Sequence, residues 1–201
     1  MTPPLRIADF LLWKTHLDPA AQSAMVEDVR AIARAAPLFA PLTPWGKPMR
    51  VKMTAAGRFG WYTDRKGYRY IEQHPDGTPW PPIPDSIMGV WRAVSGSARQ
   101  PECCLVNHYG EGARMGLHQD RDEADFDEPV VSISLGDSAL FRIGGTERGG
   151  PTQSIELDSG DVLVMGGPAR LRYHGVDRIR FGSSRLLDRG GRINLTLRVV
   201  T

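Results

Sequence analysis

His118 and Asp120 stand two residues apart in Leu117-His118-Gln119-Asp120-Arg121-Asp122-Glu123. Alternate side chains of an extended strand share a face. His118, Asp120 and Asp122 are therefore expected on one face, with Gln119 and Arg121 on the other. An imidazole and a carboxylate at this spacing can grip one cation together, but they need a third ligand from elsewhere. His174, in Leu171-Arg172-Tyr173-His174-Gly175, is the candidate. On its own His-x-Asp is a weak pattern, met mostly by satisfied polar groups, so the reading needs support from other parts of the chain.

That support comes from Arg192-Ile193-Asn194-Leu195-Thr196-Leu197-Arg198, where polar and apolar residues alternate. The ordinary reading is a strand with one solvated face. If the polar face turns inward instead, two Arg, one Asn and one Thr converge on a single anion. Two imidazoles and one carboxylate leave three positions of an octahedral ion open, the arrangement of non-haem Fe(II) sites. Zinc prefers a tetrahedron of three or four protein ligands, which places a zinc hydrolase behind iron. A 2-oxo acid chelates Fe(II) through its carboxylate and keto oxygen, and its distal carboxylate needs a fixed Arg. Asn107 and Tyr109 alternate onto one face of their own strand and are further donors. His108 falls on the opposite face and reads as structural.

The elements that must position these groups are short. With 201 residues, 41% hydrophobic and 24% charged, the chain is long enough for one domain with a real core. The net charge of +2 permits a polyanionic partner without requiring one. The two cysteines, Cys103 and Cys104, are neighbours; on a strand they point apart, which argues against a mutual disulfide and fits a reducing cytosol. The N-terminus lacks a signal-peptide pattern and no apolar run is long enough to span a bilayer. Residues 1–17 are compatible with a short strand. Asp18-Pro19 reads as a helix start, followed by Met25, Val26, Val29 and Ile32 at helical spacing up to Pro37. Asp85 is expected to cap a second helix through Met88, Val90, Trp91 and Val94, stopped at Gly96. From Cys103 onward the pattern is strand, turn, strand. The expected strands are Cys103–Tyr109, Leu117–Asp120, Val130–Leu135, Ala139–Ile143, Ser154–Leu157, Val162–Met165, Leu171–His174 and Arg192–Val200. Eight short strands predict a mainly β fold with flanking helices (α+β) around a double-stranded β-helix, or jelly roll.

Between residues 37 and 85, Trp61, Tyr68 and Tyr70 interleave with Arg58, Arg65, Lys66 and Arg69. On residue type alone, a hairpin whose aromatics pack on the core stands ahead of a nucleobase platform. The whole set of motifs reverses that order. Asn107-His-Tyr109-Gly-Glu-Gly, His118-Gln-Asp120-Arg-Asp122-Glu, Tyr173-His174-Gly and Arg192-Ile-Asn194-Leu-Thr-Leu-Arg198 resemble the bacterial AlkB family of alkylated-nucleic-acid repair dioxygenases. The resemblance continues through Met53-Thr, Gly60-Trp61, Gly67-Tyr68-Arg69-Tyr70 and Pro79-Trp80-Pro, and is weakest before about residue 45.

The resemblance implies one AlkB-like domain over 1–201. Its parts are an N-terminal strand and helix layer over about 1–45, a nucleotide-recognition lid with a support helix over 46–102, and the jelly roll over 103–201. It implies His118, Asp120 and His174 as Fe(II) ligands. Asn107, Tyr109, Arg192, Asn194 and Arg198 become the 2-oxoglutarate site. Met53, Trp61, Tyr68, Arg69, Tyr70, Met115, Asp122 and Arg148 become substrate contacts. The implied activity is oxidative demethylation of N1-methyladenine and N3-methylcytosine in single- or double-stranded DNA, with RNA as a further candidate. It consumes 2-oxoglutarate and O2 and releases formaldehyde, succinate and CO2. A cytoplasmic monomer without membrane contact is expected. The rivals are the same oxygenase core acting on a protein side chain or small molecule, and a non-catalytic jelly-roll binding module.

Overall fold

β-branched runs separated by Gly-rich turns become two facing antiparallel sheets in the computed structural model. It describes residues 3–43 and 45–201; Met1, Thr2 and Pro44 lie outside the described residues. In chain order the elements are β1 (Leu5–Ile7), β2 (Phe10–Trp13), α1 (Pro19–Ala35), β3 (Lys52–Gly57), β4 (Gly60–Asp64), β5 (Gly67–Ile71) and α2 (Asp85–Val94). Then come β6 (Cys103–Tyr109), β7 (Met115–His118), β8 (Val130–Gly136), β9 (Ala139–Ile143), β10 (Gln153–Leu157), β11 (Val162–Met165), β12 (His174–Ile179) and β13 (Arg192–Arg198).

The major sheet runs β1-β2-β11-β8-β13-β6-β3 and the minor sheet β10-β9-β12-β7. The last eight strands, β6 to β13, form the jelly roll. The N-terminal stretch adds a hairpin, β1–β2, to one edge of the major sheet, and β3 covers the other edge. Among the described residues, β4 and β5 pair only with each other.

α1 begins where the sequence predicts. The Asp18 carboxylate accepts from the Ala21 N–H at 2.8 Å, and Pro19 occupies the first helical position. Met25, Val26, Val29 and Ile32 pack on the outer face of the major sheet against Ile133, Leu195 and Leu197. Burial of each such side chain stabilises by about 1.5–3 kcal/mol. α2 adds Ile87, Val90, Trp91 and Val94 to the same layer. Its N-cap is Pro84, with no side-chain capping bond, so Asp85 is the first helical residue and not the cap. There it still favours the positive end of the helix dipole. Both cysteines are free and buried, and burial pushes the Cys103 thiol up to about 12. No described helix is long and apolar enough to cross a membrane.

Two strands are displaced from the sequence pattern, while β8, β10 and β13 differ from it by one or two residues at one end. β7 ends at His118 and not at Asp120, and β12 begins at His174 where 171–174 was expected to be strand. Arg170 and Leu171 instead lie in a turn after the short 3-10 helix Gly167–Ala169, which the Gly-Gly-Pro sequence imposes, and Arg172 lies in the irregular stretch that follows.

Gly175 follows His174 for a steric reason. A Cβ there would lie 2.6 Å from the Met115 carbonyl oxygen and 2.7 Å from that of Gly116. Only a residue without a side chain lets β12 approach β7 this closely, and that approach brings His174 opposite His118. Gly60 has the same role beneath the β4–β5 hairpin, where a Cβ would sit 2.3 Å from the Trp80 ring. Gly175→Ala should push the two imidazoles apart and weaken metal binding by about 10- to 100-fold, as loss of a supporting contact does. Titration of the metal-free variant with Mn(II) checks this; unchanged affinity would show that the approach is not required.

Candidate metal and cosubstrate site

β7 and β12 pair antiparallel with His118 and His174 directly opposed. Asp120 lies just past the end of β7. His118 Nε2 is 3.7 Å from Asp120 Oδ1, and His174 Nε2 is 3.9 Å from Asp120 Oδ2. The three ligand atoms all lie within 4.8 Å of one another, so the triad could hold one metal ion. The other ring nitrogens face carbonyls: His118 Nδ1 is 2.9 Å from Gly116 O, and His174 Nδ1 is 3.0 Å from Arg172 O. A carbonyl can only accept, so each Nδ1 carries the proton and each Nε2 presents a lone pair to the centre. Phe141 stacks on His174 at 5.7 Å and fixes the ring plane.

Electrostatics favour the ligand forms. Burial opposes ionisation of Asp120, but Arg198, whose Nη2 donates to Oδ2 at 2.9 Å, and the two imidazoles outweigh it and hold the carboxyl well below its usual range. Burial and the neighbouring His118 lower His174 to about 4. At neutral pH the site is therefore a carboxylate beside a neutral His174, with little proton release needed on metal binding.

The polar face of β13 turns inward. Arg192, Thr196 and Arg198 are buried between the sheets, while Ile193, Leu195 and Leu197 face the helices. The solvated-face reading of this strand is thus replaced by the inward one. Arg192 is 1% exposed. Its Nη atoms donate to Asp137 O, Leu157 O and Ser134 Oγ, its Nε has no partner, and no carboxylate among the described residues pairs with it. Burial lowers Arg192 only to about 10, so it stays charged at neutral pH. A buried cation held by neutral groups is costly until an anion reaches it. Asn107 Oδ1 and Arg198 Nη1 are likewise buried without partners. Tyr109 lies opposite Arg192, and its hydroxyl meets only the weak acceptor Met115 Sδ at 3.7 Å. The free donors fit a dicarboxylate: one guanidinium deep in the barrel, one beside the His118–Asp120–His174 cluster, and the Tyr109 hydroxyl as a further donor. Asn194 behaves differently. Its Nδ2 donates to Ser132 Oγ and Ile133 O, and its Oδ1 accepts from Thr196, so it is engaged within the sheet.

The β4–β5 hairpin supplies the aromatics. Trp61 and Tyr68 stack with centroids 5.4 Å apart and planes at 21°, and Tyr68 is 56% exposed. Trp61 Nε1 donates to Asp122 Oδ2 at 2.9 Å. Asp122 is therefore brought to the site by the hairpin and not by strand alternation, since β7 has already ended. Tyr70 donates to the buried Glu123. Arg69 is spent on a two-point pair with Asp64 at 2.9 and 2.8 Å. Met53, expected among the substrate contacts, is 1% exposed and packs in the core between the sheets. Met115 lies against Tyr109, and Arg148 sits on the exposed 144–152 loop. Three residues here carry no sequence signal. Gln119 ties Thr146 O and Leu171 O together at 3.1 and 2.6 Å. Glu123 and Arg170 form a buried pair at 2.9 Å, and Arg170 also donates to the Asp120 carbonyl.

A model of the 2OG-Fe(II) oxygenase superfamily matches residues 9–198. The alpha-ketoglutarate-dependent dioxygenase AlkB homolog of Caulobacter vibrioides is 55% identical over 193 residues, 96% of this chain and 88% of the relative. The alpha-ketoglutarate-dependent dioxygenase AlkB of Escherichia coli is 38% identical over 201 residues, 97% of this chain and 91% of the relative. The solved structure of OsALKBH1 superposes with a TM-score of 0.79 at 31% identity, covering 97% of this chain and 99% of that one. The chain belongs to the 2OG-Fe(II) oxygenase superfamily and, within it, to the bacterial AlkB family. It is a dioxygenase whose cofactor is Fe(II) and whose cosubstrates are 2-oxoglutarate and O2.

Arg192→Met should weaken 2-oxoglutarate binding to the Mn(II)-loaded protein by about 100-fold, the usual scale for truncating one side of a buried charge pair. The ligand-free melting temperature should stay level or rise, because an uncompensated buried charge is removed. Calorimetry and thermal unfolding check both. A second expectation follows from His174. The unfolded imidazole takes up its proton near 6.5 and the folded one only near 4, so the unfolded state binds more protons in that window. The metal-free protein should lose stability as pH falls from 6.5 to 4, and denaturant titrations of His174→Asn should show a shallower slope.

Proposed function

We propose that this dioxygenase demethylates N-alkylated nucleobases, with N1-methyladenine and N3-methylcytosine in DNA as substrates, in direct-reversal repair. RNA is a second polymer under the same reading, and we take the enzyme to act as a cytoplasmic monomer and a single domain. The observation that carries the proposal is the aromatic hairpin tied to the residue two beyond Asp120: Trp61 stacks on an exposed Tyr68 and is anchored on Asp122. Names of more distant relatives support it, including DNA N(6)-methyladenine demethylase ALKBH1C of Arabidopsis thaliana and nucleic acid dioxygenase ALKBH1 of Mus musculus.

In this reading His118, Asp120 and His174 hold Fe(II). Arg192 takes the distal carboxylate of 2-oxoglutarate, with Asn107 and Tyr109 along its length and Arg198 at the metal end. Asn194, on the same face, acts through its bonds to Ser132 and Thr196. When bound, the iron, keto acid and O2 supply hydroxylation of the N-methyl carbon, which then leaves as formaldehyde with succinate and CO2 as co-products. The chain's own residues do the rest. A base must leave its stack to reach the triad, which costs a few kcal/mol and least for a lesion that already pairs badly. Trp61 and Tyr68 offer that base an aromatic face, worth about 1–3 kcal/mol. Both lesions are cationic, which strengthens the aromatic contact. Asp122 gives Oδ2 to Trp61 and keeps Oδ1 for an exocyclic amine. Arg148 meets the nucleic-acid backbone from its loop, and Arg69 would do so only on leaving Asp64. Met115 lines the apolar side of the pocket.

Mass spectrometry of a methylated oligonucleotide incubated with enzyme, Fe(II) and 2-oxoglutarate tests the proposal. Loss of one methyl mass per lesion is expected, and an unaltered oligonucleotide alongside steady succinate formation would move the substrate elsewhere. Trp61→Ala should lower kcat/KM for the oligonucleotide roughly 10- to 100-fold from lost stacking. Succinate formed without oligonucleotide should change by less than about twofold; equal losses in both would count against a base-stacking role.

A further inference from the structure

Among the described residues, Glu123 is the one carboxylate that touches both the hairpin and Arg198 at the end of β13. Its side chain is 1% exposed. Oε1 accepts from the Tyr70 hydroxyl and lies 3.3 Å from Arg198 Nε, while Oε2 accepts from Arg170 Nη2 at 2.9 Å. Arg198 in turn donates to Asp120, while its Nε and Nη1 are both buried without a hydrogen-bond partner, so Glu123 meets the Nε edge as an ion pair. Tyr70, Glu123, Arg198 and Asp120 thus form an unbroken chain of polar contacts from β5 to the metal triad. The phenol of Tyr70 is committed to this chain, so it is not free to meet a phosphate.

A buried guanidinium has a rigid, planar set of donors. Whatever orients one edge orients the others. Glu123 faces the Nε edge of Arg198, Asp120 holds Nη2, and Nη1 is left for an incoming carboxylate. Tyr70 sets Glu123 from the hairpin side, while Arg170 holds its other oxygen and also the Asp120 carbonyl. Trp61 binds Asp122, the residue just before Glu123, so the hairpin grips residues 122 and 123 together.

We propose that Tyr70 and Glu123 are positioning residues that couple the seating of the β4–β5 hairpin to binding of the 2-oxo acid at Arg198. Coupling between two sites is reciprocal. A keto acid that fixes Arg198 firms Glu123 and closes the hairpin, and a hairpin held down by substrate presents Arg198 correctly for the keto acid. The inference rests on the reading of Arg198 as a cosubstrate contact, and not on a nucleobase as substrate.

The test therefore needs no oligonucleotide and no turnover. Amide hydrogen exchange of residues 60–71 is measured in the full chain loaded with Mn(II), with and without 2-oxoglutarate, whose binding is followed in parallel by calorimetry. In the unaltered chain 2-oxoglutarate should slow exchange of the hairpin by about threefold or more. In Tyr70→Phe, which removes one hydroxyl, the ratio should fall to about one. Glu123→Gln keeps an acceptor for Tyr70 but withdraws the charge from Arg198, and should also lose the effect. A purely structural role for Tyr70 would speed hairpin exchange equally with and without 2-oxoglutarate and preserve the ratio, overturning the proposal. So would a hairpin in the unaltered chain that ignores bound 2-oxoglutarate, or 2-oxoglutarate that does not bind. Failure of the oligonucleotide to be demethylated leaves these outcomes as they are, so the two readings fail separately.

Discussion

The contact between Arg198 and Asp120, 2.9 Å long with both side chains less than 10% exposed, holds the site together. It links the last strand of the major sheet to the loop that leaves the minor sheet, and it keeps a deeply buried carboxyl ionised. Arg170 and Glu123 complete a four-membered set whose formal charges cancel. A buried cluster of zero net charge is far cheaper than an isolated ion.

One strand serves both layers of the molecule. The period of two in β13 sends Ile193, Leu195 and Leu197 to the helices and Arg192, Asn194, Thr196 and Arg198 to the space between the sheets. β8 alternates in the same way, with Ser132 and Ser134 receiving Asn194 and Arg192. Apolar packing by α1 and α2 on the outer face therefore sets the register of the polar inner face. A slip of one residue would exchange the two.

Much of this was legible in the residues because periodicity and capping are local. Asp18-Pro19 announced α1, and alternation marked the central strands to within a residue or two. The grouping of His118, Asp120 and His174 was readable from residue type, although His174 lies 54 positions beyond Asp120. What escaped the sequence depends on where strands stop. β7 ends at His118, so Asp120 and Asp122 owe their placement to Arg198 and Trp61 and not to alternation on one face. Glu123 and Arg170 escaped the sequence because their pairing spans 47 positions and leaves no pattern in either segment. Arg69 reads as a free cation in sequence, and only the hairpin geometry gives it to Asp64. The inward turn of β13 needed the second sheet, and the resemblance to a family supplied that context where alternation alone favoured solvent.

Among the described residues, β4 and β5 pair with no other strand, and they reach the loop after the triad through two side-chain hydrogen bonds, at 122 and 123. Such an attachment is modular. A different hairpin could be grafted onto this barrel provided it presented an indole N–H and a phenol at those two points, kept both rings packed on the core between the sheets, and placed a glycine where Trp80 crosses. Changes of recognition surface would then be free to accumulate on the graft while the oxidation machinery beneath it stayed untouched.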